Sequence, residues 1–153
     1  MDSYVDLEKY SGFWYGIANL KTHVHDCPCT IAKYDFVNQV ELSFINTCQT
    51  QKGDISILGR MYSNNWFKNT SMWIRFDGFY KLNQYWILDL DEDYTTVLIG
   101  TPCREMFFVM SRYKTLSREV IKQKLEIAKN NGYDFDDEND ILYRDQYDCE
   151  FER

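Results

Sequence analysis

Between residues 12 and 112 the chain switches face at every second residue, in short runs separated by turn residues. Thr30-Ile31-Ala32-Lys33-Tyr34-Asp35-Phe36 puts Lys33 and Asp35 on one face and Ala32, Tyr34 and Phe36 on the other. That period of two marks a half-buried strand, whereas a helix would repeat near 3.6. Val37-Asn38-Gln39 supplies a turn, and Val40 to Cys48 alternates again. Read as a hairpin centred near Asn38, the pair sets Cys29 opposite Cys48. Further strands are expected at Gly12 to Leu20, Ile55 to Tyr62, Met72 to Phe76, Tyr85 to Leu90, Thr95 to Gly100 and Met106 to Arg112. Gly53, Asn64-Asn65, Asp77-Gly78, Asp91-Glu92-Asp93 and Thr101-Pro102 punctuate them. Gly59, inside a strand, predicts a bend or a close backbone approach.

Eight short strands joined mostly by tight turns read as all-β, an antiparallel up-and-down barrel or a sandwich. One helix follows, over about residues 117–131. Ser117 is its N-cap, Glu119 sits in the positive first turn, and Gly132 stops it. Val120, Ile121, Leu125 and Ala128 form its apolar stripe. An acidic tail, residues 134–153, carries Ile141-Leu142-Tyr143 as its apolar anchor. A length of 153 residues suits one domain, residues 1–153, with the barrel over about residues 10–113.

Several function classes recede on composition. The net charge of −7 repels phosphate backbones, so no nucleic-acid partner is expected. No apolar run approaches the ~18 residues of a membrane span, so no transmembrane segment is expected. Met1-Asp2-Ser3-Tyr4-Val5-Asp6 does not read as a signal peptide, having neither a basic start nor an apolar stretch. Cytoplasmic residence and a mature secreted or periplasmic domain both stay open. Five cysteines leave at least one unpaired, and 17% aromatic residues favour strands and apolar pockets.

Three segments, in order, carry a resemblance. Tyr10-Ser11-Gly12-Phe13-Trp14-Tyr15-Gly16 resembles the Gly-x-Trp-Tyr opening of the lipocalins. Tyr85-Trp86-Ile87-Leu88-Asp89-Leu90-Asp91-Glu92-Asp93-Tyr94 resembles the family's second signature, around the sixth and seventh strands. Phe107-Phe108-Val109-Met110-Ser111-Arg112 resembles the third, which ends in Arg. Thr115 to Val120 and Gly132-Tyr133-Asp134 are similar to the branch of the bacterial outer-membrane lipocalins and apolipoprotein D. The resemblance implies an eight-stranded lipocalin barrel with one helix packed outside. It also implies a ligand cavity, with Gly12, Trp14 and Arg112 as structural residues at the closed end. An inward Arg112 can stack on Trp14 as a cation–π pair and hydrogen-bond buried carbonyls.

Where charges set the phase, they face out, and their neighbours line the interior. The expected ligand wall is Tyr34, Phe36, Phe44, Met61, Met72 and Ile74, joined by Tyr85, Ile87 and Leu98. Alignment with the third signature adds Met106 and Phe108. Tyr34, Tyr85 and Thr96 are the expected polar handles, and a charged headgroup would sit at the mouth. The mouth is expected at the loops around residues 21–28, 49–53, 78–84 and 101–105, with Phe79 and Tyr80 as lid aromatics. The function implied is carriage or storage of a small hydrophobic ligand, a fatty acid, lysophospholipid or similar lipid. A barrel packed solid remains the alternative. It would act as an interaction module through outward Trp73 and Trp86 with Trp66-Phe67, a candidate dimer or peripheral-membrane contact unless the helix or tail covers it.

No cofactor, metal or catalytic residue is expected. His23-Val24-His25-Asp26-Cys27-Pro28-Cys29 holds zinc-ligand types, but its spacing is tighter than the usual separated pairs. A thiol enzyme would need Cys29 or Cys48 as nucleophile, and neither has a basic neighbour in sequence. Cross-strand register instead makes Cys29 and Cys48 a candidate disulfide in an oxidising compartment. The apolipoprotein D branch ties its tail to the barrel, which would pair Cys149 with Cys27 and leave Cys103 as the odd thiol. Asn69-Thr70-Ser71 is a glycosylation sequon, relevant only in a secretory pathway.

Overall fold

The computed structural model describes residues 3–21, 27, 29–50, 52–144, 146 and 149. Along them run α1 (Leu7–Tyr10), β1 (Gly12–Leu20), β2 (Cys29–Asn38), β3 (Glu41–Thr50), β4 (Gly53–Ser63) and β5 (Ser71–Phe76). Then follow β6 (Asn83–Leu90), β7 (Thr96–Gly100), β8 (Phe107–Ser111), α2 (Arg118–Asn130) and β9 (Ile141–Tyr143). Successive strands from β1 to β8 pair antiparallel, and β1 also pairs β8, so the sheet closes into an eight-stranded barrel. Helix α2 packs outside. The apolar anchor of the tail is a strand, β9, added to β1 with Leu20 opposite Ile141.

Two registers differ from the expected ones, and bulges account for both. The β2–β3 turn falls at Gln39–Val40, one residue later than a centre near Asn38. A bulge between Phe36 and Asn38 takes back half of that offset, leaving Cys29 opposite Gln49 and Thr30 opposite Cys48. A one-residue slip puts a side chain on the other face of the sheet. Cys29 and Cys48 therefore do not bridge. Cys27 pairs with Cys48, Cα to Cα 5.9 Å, and Cys29 pairs with Cys149 at 5.8 Å. Both expected pairings are corrected by an exchange of partners, and Cys103 is the free thiol.

The second bulge lies between Ile87 and Asp89. Tyr85 and Ile87 point into the barrel, Leu88 packs on the outer side, Asp89 reaches the helix, and Leu90 turns inward again. Opposite them Val97 and Ile99 face the interior. Leu98, expected inside, packs in the outer core under α2, and Thr96 donates a hydrogen bond to Asp91 outside.

The closed end is built from the N-terminus. Asp6 caps α1 by accepting from the amides of Glu8 and Lys9, and α1 buries Leu7 and Tyr10. Trp14 is fully buried, and its indole N–H donates to the Tyr10 carbonyl at 2.8 Å. Arg112 stacks on the Trp14 ring, Cζ 3.9 Å from its centroid. Its guanidinium donates to the carbonyls of Tyr94 (3.0 Å), Phe13 (3.0 Å), Lys9 (2.8 Å) and Tyr10 (3.2 Å). Gly12 has φ +101°, and a Cβ there would lie 3.1 Å from Arg112 Nη1, so the glycine makes room for the fork.

Helix α2 begins at its cap Ser117, whose hydroxyl accepts from the Val120 amide, and ends before Gly132 with φ +92°. Ile121, Leu125 and Ala128 bury against Leu98, Phe107 and Val109. Lys124, 3% exposed, is the polar member of that face. Its ammonium lies 2.6 Å from Asp89 and 2.8 Å from Asp91, so two barrel carboxylates hold the helix. Partial burial pushes the Asp91 carboxyl upward, but hydrogen bonds from Lys124 and Thr96 outweigh it and hold the group below its ordinary value.

Gly59 is the close approach its position implied. A Cβ there would run into the Phe44 ring and the Arg75 carbonyl. Gly59→Ala is expected to cost about 1–3 kcal/mol by overpacking, read as a lower urea midpoint at unchanged slope. A variant as stable as the wild type would show that the Phe44 ring can move aside.

Candidate functional site

The barrel interior divides into a packed half and an open half. Near the closed end Leu42, Phe44, Met61, Met72, Ile87 and Val97 are at most 2% exposed and fill the space above α1. Toward the other end the interior opens into a cavity of about 340 Å3. Its lower wall is Trp14, Tyr34, Ile74, Tyr85, Ile99 and Met110. Higher up come Gly16, Ala32, Asn46, Ile57, Phe76 and Phe108, and Thr30, Cys48, Ile55 and Arg144 stand at the rim. Ile55 is 60% exposed, Ile57 48% and Phe108 38%, because they face a space that solvent can reach.

The alternation that builds the strands also builds this wall, with Ala32 and Tyr34 on β2 and Ile55 and Ile57 on β4 both two residues apart. Of the residues expected on the ligand wall, Tyr34, Ile74, Tyr85 and Phe108 line the cavity. Phe44, Met61, Met72 and Ile87 point inward but belong to the packed half, so they support the floor without bordering the space. Phe36 is a correction: it lies beyond the closed end, 41% exposed. Leu98 is another, since the bulge in β6 turns β7 over. Met106 sits half-buried in the β7–β8 turn, outside the lining.

Three tyrosines make the floor. The Tyr85 hydroxyl contacts that of Tyr34 at 3.1 Å and, closer still, that of Tyr10. Burial pushes the Tyr34 phenol up to about 12. Burial also raises Tyr10 and Tyr85 well above the ordinary value; the two other phenols add to the rise at Tyr85, whereas at Tyr10 the Tyr85 hydrogen bond and the Arg112 charge offset part of it. All three phenols are therefore neutral at physiological pH.

Two polar groups on the wall were not anticipated. Asn46 Oδ1 is buried with no hydrogen-bond partner, and its side chain borders the cavity. The alternation of Leu42 and Phe44 continues to Asn46, so its direction was readable, although its polarity hid it from an apolar list. Arg144 comes from the segment after β9. Its Nε donates to the Cys27 carbonyl at 2.6 Å and its Nη1 to Asn19 Oδ1, which places a cation at the rim. Nothing local in the sequence gives that position, because it depends on the pairing of β9 with β1, which the Arg144 amide continues by donating to the Ile17 carbonyl at 2.7 Å.

The same segment closes the barrel seam. β1 and β2 pair only from Gly12–Tyr34 to Tyr15–Ile31. Where they part, the fully buried Gln146 bridges them, donating to the Gly16 carbonyl and accepting from the Thr30 amide at 3.0 Å. A Cβ at residue 16 would strike the Thr30 hydroxyl.

Several candidates for other chemistry can be placed. The zinc-ligand types His23 and His25 lie outside the described residues, among which no cluster of three or more His, Cys, Asp or Glu could hold a metal ion. Cys29 and Cys48 are both in disulfides. No helix among the described residues is long and apolar enough to cross a membrane. Trp73 and Trp86 are half-buried, whereas Trp66 and Phe67 are 64% and 67% exposed and stack with centroids 3.7 Å apart. Phe79 and Tyr80, the expected lid aromatics, are both exposed, Tyr80 completely.

Comparison with known proteins gives consistent matches. The family described as a lipocalin-like domain matches residues 5–139. A protein of Acanthamoeba polyphaga mimivirus named as a lipocalin is 24% identical over 140 residues, covering 86% of this chain and 81% of that protein. The outer membrane lipoprotein Blc of Vibrio cholerae is 27% identical over 146 residues, covering 92% and 82%. Among solved structures, lobster apocrustacyanin A1 superposes with a TM-score of 0.68 at 16% identity, covering 90% of this chain and 77% of that one.

Proposed function

The chain belongs to the lipocalin family, and on that premise we propose that it binds and carries one small apolar or amphipathic molecule, a fatty acid, lysophospholipid or similar single-chain lipid. The observation that carries this reading is the apolar cavity of about 340 Å3, open at one end of the barrel. That volume is near the low end for small-molecule sites. At ~30 Å3 for a water-sized group, it takes on the order of ten such groups. That is room for a single chain. Binding is driven by burial, about 25 cal/mol per Å2 of apolar surface removed from water. Arg144 at the rim suits an acidic headgroup left near solvent. The engagement of Cys29 and Cys48 in disulfides favours binding over thiol catalysis.

Native mass spectrometry with added dodecanoate or lauroyl lysophosphatidylcholine is the test. A one-to-one adduct is expected with the wild type. Ala32→Phe, which places a ring in the cavity, should weaken it roughly tenfold or more, about 1.4 kcal/mol per decade. No adduct with either lipid would refute the carrier. Equal binding by Ala32→Phe would put the site elsewhere.

A further inference from the structure

The cavity floor holds more hydrogen-bond donors than the protein uses. A neutral phenol carries one proton. Tyr10, Tyr34 and Tyr85 thus bring three protons to a cluster with two oxygen–oxygen contacts, Tyr10 to Tyr85 and Tyr34 to Tyr85. Each contact takes one proton, and the third has no acceptor within the cluster. The spare proton falls on Tyr34 when the bonds run from Tyr10 through Tyr85, on Tyr85 when both neighbours donate to it, and on Tyr10 when the chain runs the other way. Tyr34 and Tyr85 border the cavity, at 4% and 7% exposure, so an acceptor there favours the first two arrangements. A buried donor left unmade is costly, so a bound molecule that supplies an acceptor there gains the hydrogen bond and relieves the floor.

We propose that this tyrosine floor hydrogen-bonds a neutral oxygen, a hydroxyl or a carbonyl, at the inner end of the bound molecule, so that the cavity selects oxygen-ended chains over plain alkyl ends. The inference rests on the carrier reading and narrows it. A neutral oxygen fits better than a carboxylate. Burial at the floor disfavours charge, pushing the Tyr34 phenol up to about 12. Among the described residues that line the cavity, the cation is Arg144, and it stands at the rim. Arg112 stacks on Trp14 outside the lining. A charged carboxylate brought down to the floor would be desolvated without a partner of opposite charge. Tyr85 is the hub, since it contacts both other hydroxyls, and Tyr34 is the arm that can be removed while the Tyr10–Tyr85 contact remains.

The experiment compares 2-undecanone with undecane as competitors for N-phenyl-1-naphthylamine in the wild type, Tyr34→Phe and the double variant Tyr34→Phe/Tyr85→Phe. The ratio of ketone to hydrocarbon affinity should fall about 5- to 10-fold from wild type to double variant, as expected for one neutral hydrogen bond. Undecane affinity should stay within about twofold, because a phenyl ring preserves the apolar wall. Near-ultraviolet circular dichroism verifies that each variant is folded. Tyr34→Phe alone leaves two protons for one contact, with a donor still available on Tyr85, and should keep most of the preference. If the double variant is not folded, the triple variant that also carries Tyr10→Phe, and so leaves no orphaned hydroxyl, must lower the ratio in its place. An unchanged ratio in the folded double or triple variant would overturn this inference and leave the carrier reading standing. Failure of the wild type to bind any of the three compounds would overturn both.

Discussion

Replacing Arg112 by methionine is expected to lower the unfolding free energy by roughly 3–5 kcal/mol. Arg112 is the junction of three chain segments. Its guanidinium donates to carbonyls of Lys9 and Tyr10 on α1, Phe13 on β1 and Tyr94 before β7. Methionine keeps much of the stem's packing and supplies none of these donors, so carbonyls at the closed end lose their partners. Each such loss costs ~1–3 kcal/mol where water cannot replace the donor, and the half-exposed position of Arg112 limits the sum. The cation–π contact with Trp14 adds about 1 kcal/mol. Arg112→Lys should recover only a minor part, because an ammonium cannot reach four carbonyls with the geometry of a planar fork. For a chain of this size each kcal/mol corresponds to about 2–4 °C, so Arg112→Met should melt some 10 °C lower. A melting point within about 3 °C of wild type would show that solvent satisfies those carbonyls and that the closed end holds without the fork.

The barrel was legible because its signal is repeated. Eight strands each carry the same period of two, and an error in one leaves the others intact. The helix was legible at both ends, through Ser117 and Gly132. The missed elements are short or non-local. Helix α1 spans only Leu7–Tyr10, too few residues for a periodic pattern. β9 has three residues and exists because β1 offers it an edge.

The errors at the site share one cause, that alternation gives direction only until a bulge. Ile87 and Asp89 share a parity, yet the first points inward and the second meets Lys124 outside. The bulge between them reverses the expected faces of β7, so Leu98 lies outside and Ile99 inside. The conflict was visible, since an acidic residue shared a face with Tyr85 and Ile87. Depth is a separate matter. Phe44, Met61 and Met72 point inward like Ile74, but whether an inward side chain borders a cavity or fills a core depends on α1 closing one end. The cysteines show the same limit at finer scale. Their types and the existence of bridges were readable, whereas their partners turned on a net one-residue offset in β2–β3.

That exchange of partners has an energetic consequence. The Cys29–Cys149 bridge spans 120 residues and the Cys27–Cys48 bridge spans 21. Loop-closure entropy of the unfolded chain gives about 5 kcal/mol for the first and about 3 kcal/mol for the second. The native state widens the difference. The long bridge anchors the segment whose Gln146 bridges the seam between Gly16 and Thr30 and whose Arg144 stands at the rim. Lys114 also donates to the Cys149 carbonyl at 2.8 Å. Cys149→Ser is therefore expected to destabilise by at least about 5 kcal/mol, and Cys48→Ser by about 3 kcal/mol, both measured by urea unfolding without reductant. Hydrogen exchange should separate the two further. In Cys149→Ser the Thr30 amide, which Gln146 accepts from, should lose protection selectively, while amides in the β3–β4 hairpin keep theirs. If Cys48→Ser proved the more damaging, or if the Thr30 amide stayed protected in Cys149→Ser, the tail would be held by its packing and the long bridge would contribute little. With both bridges reduced, the seam between β1 and β2 should open first. Its strands pair directly only as far as Tyr15–Ile31, and beyond that point the tethered Gln146 is what joins them.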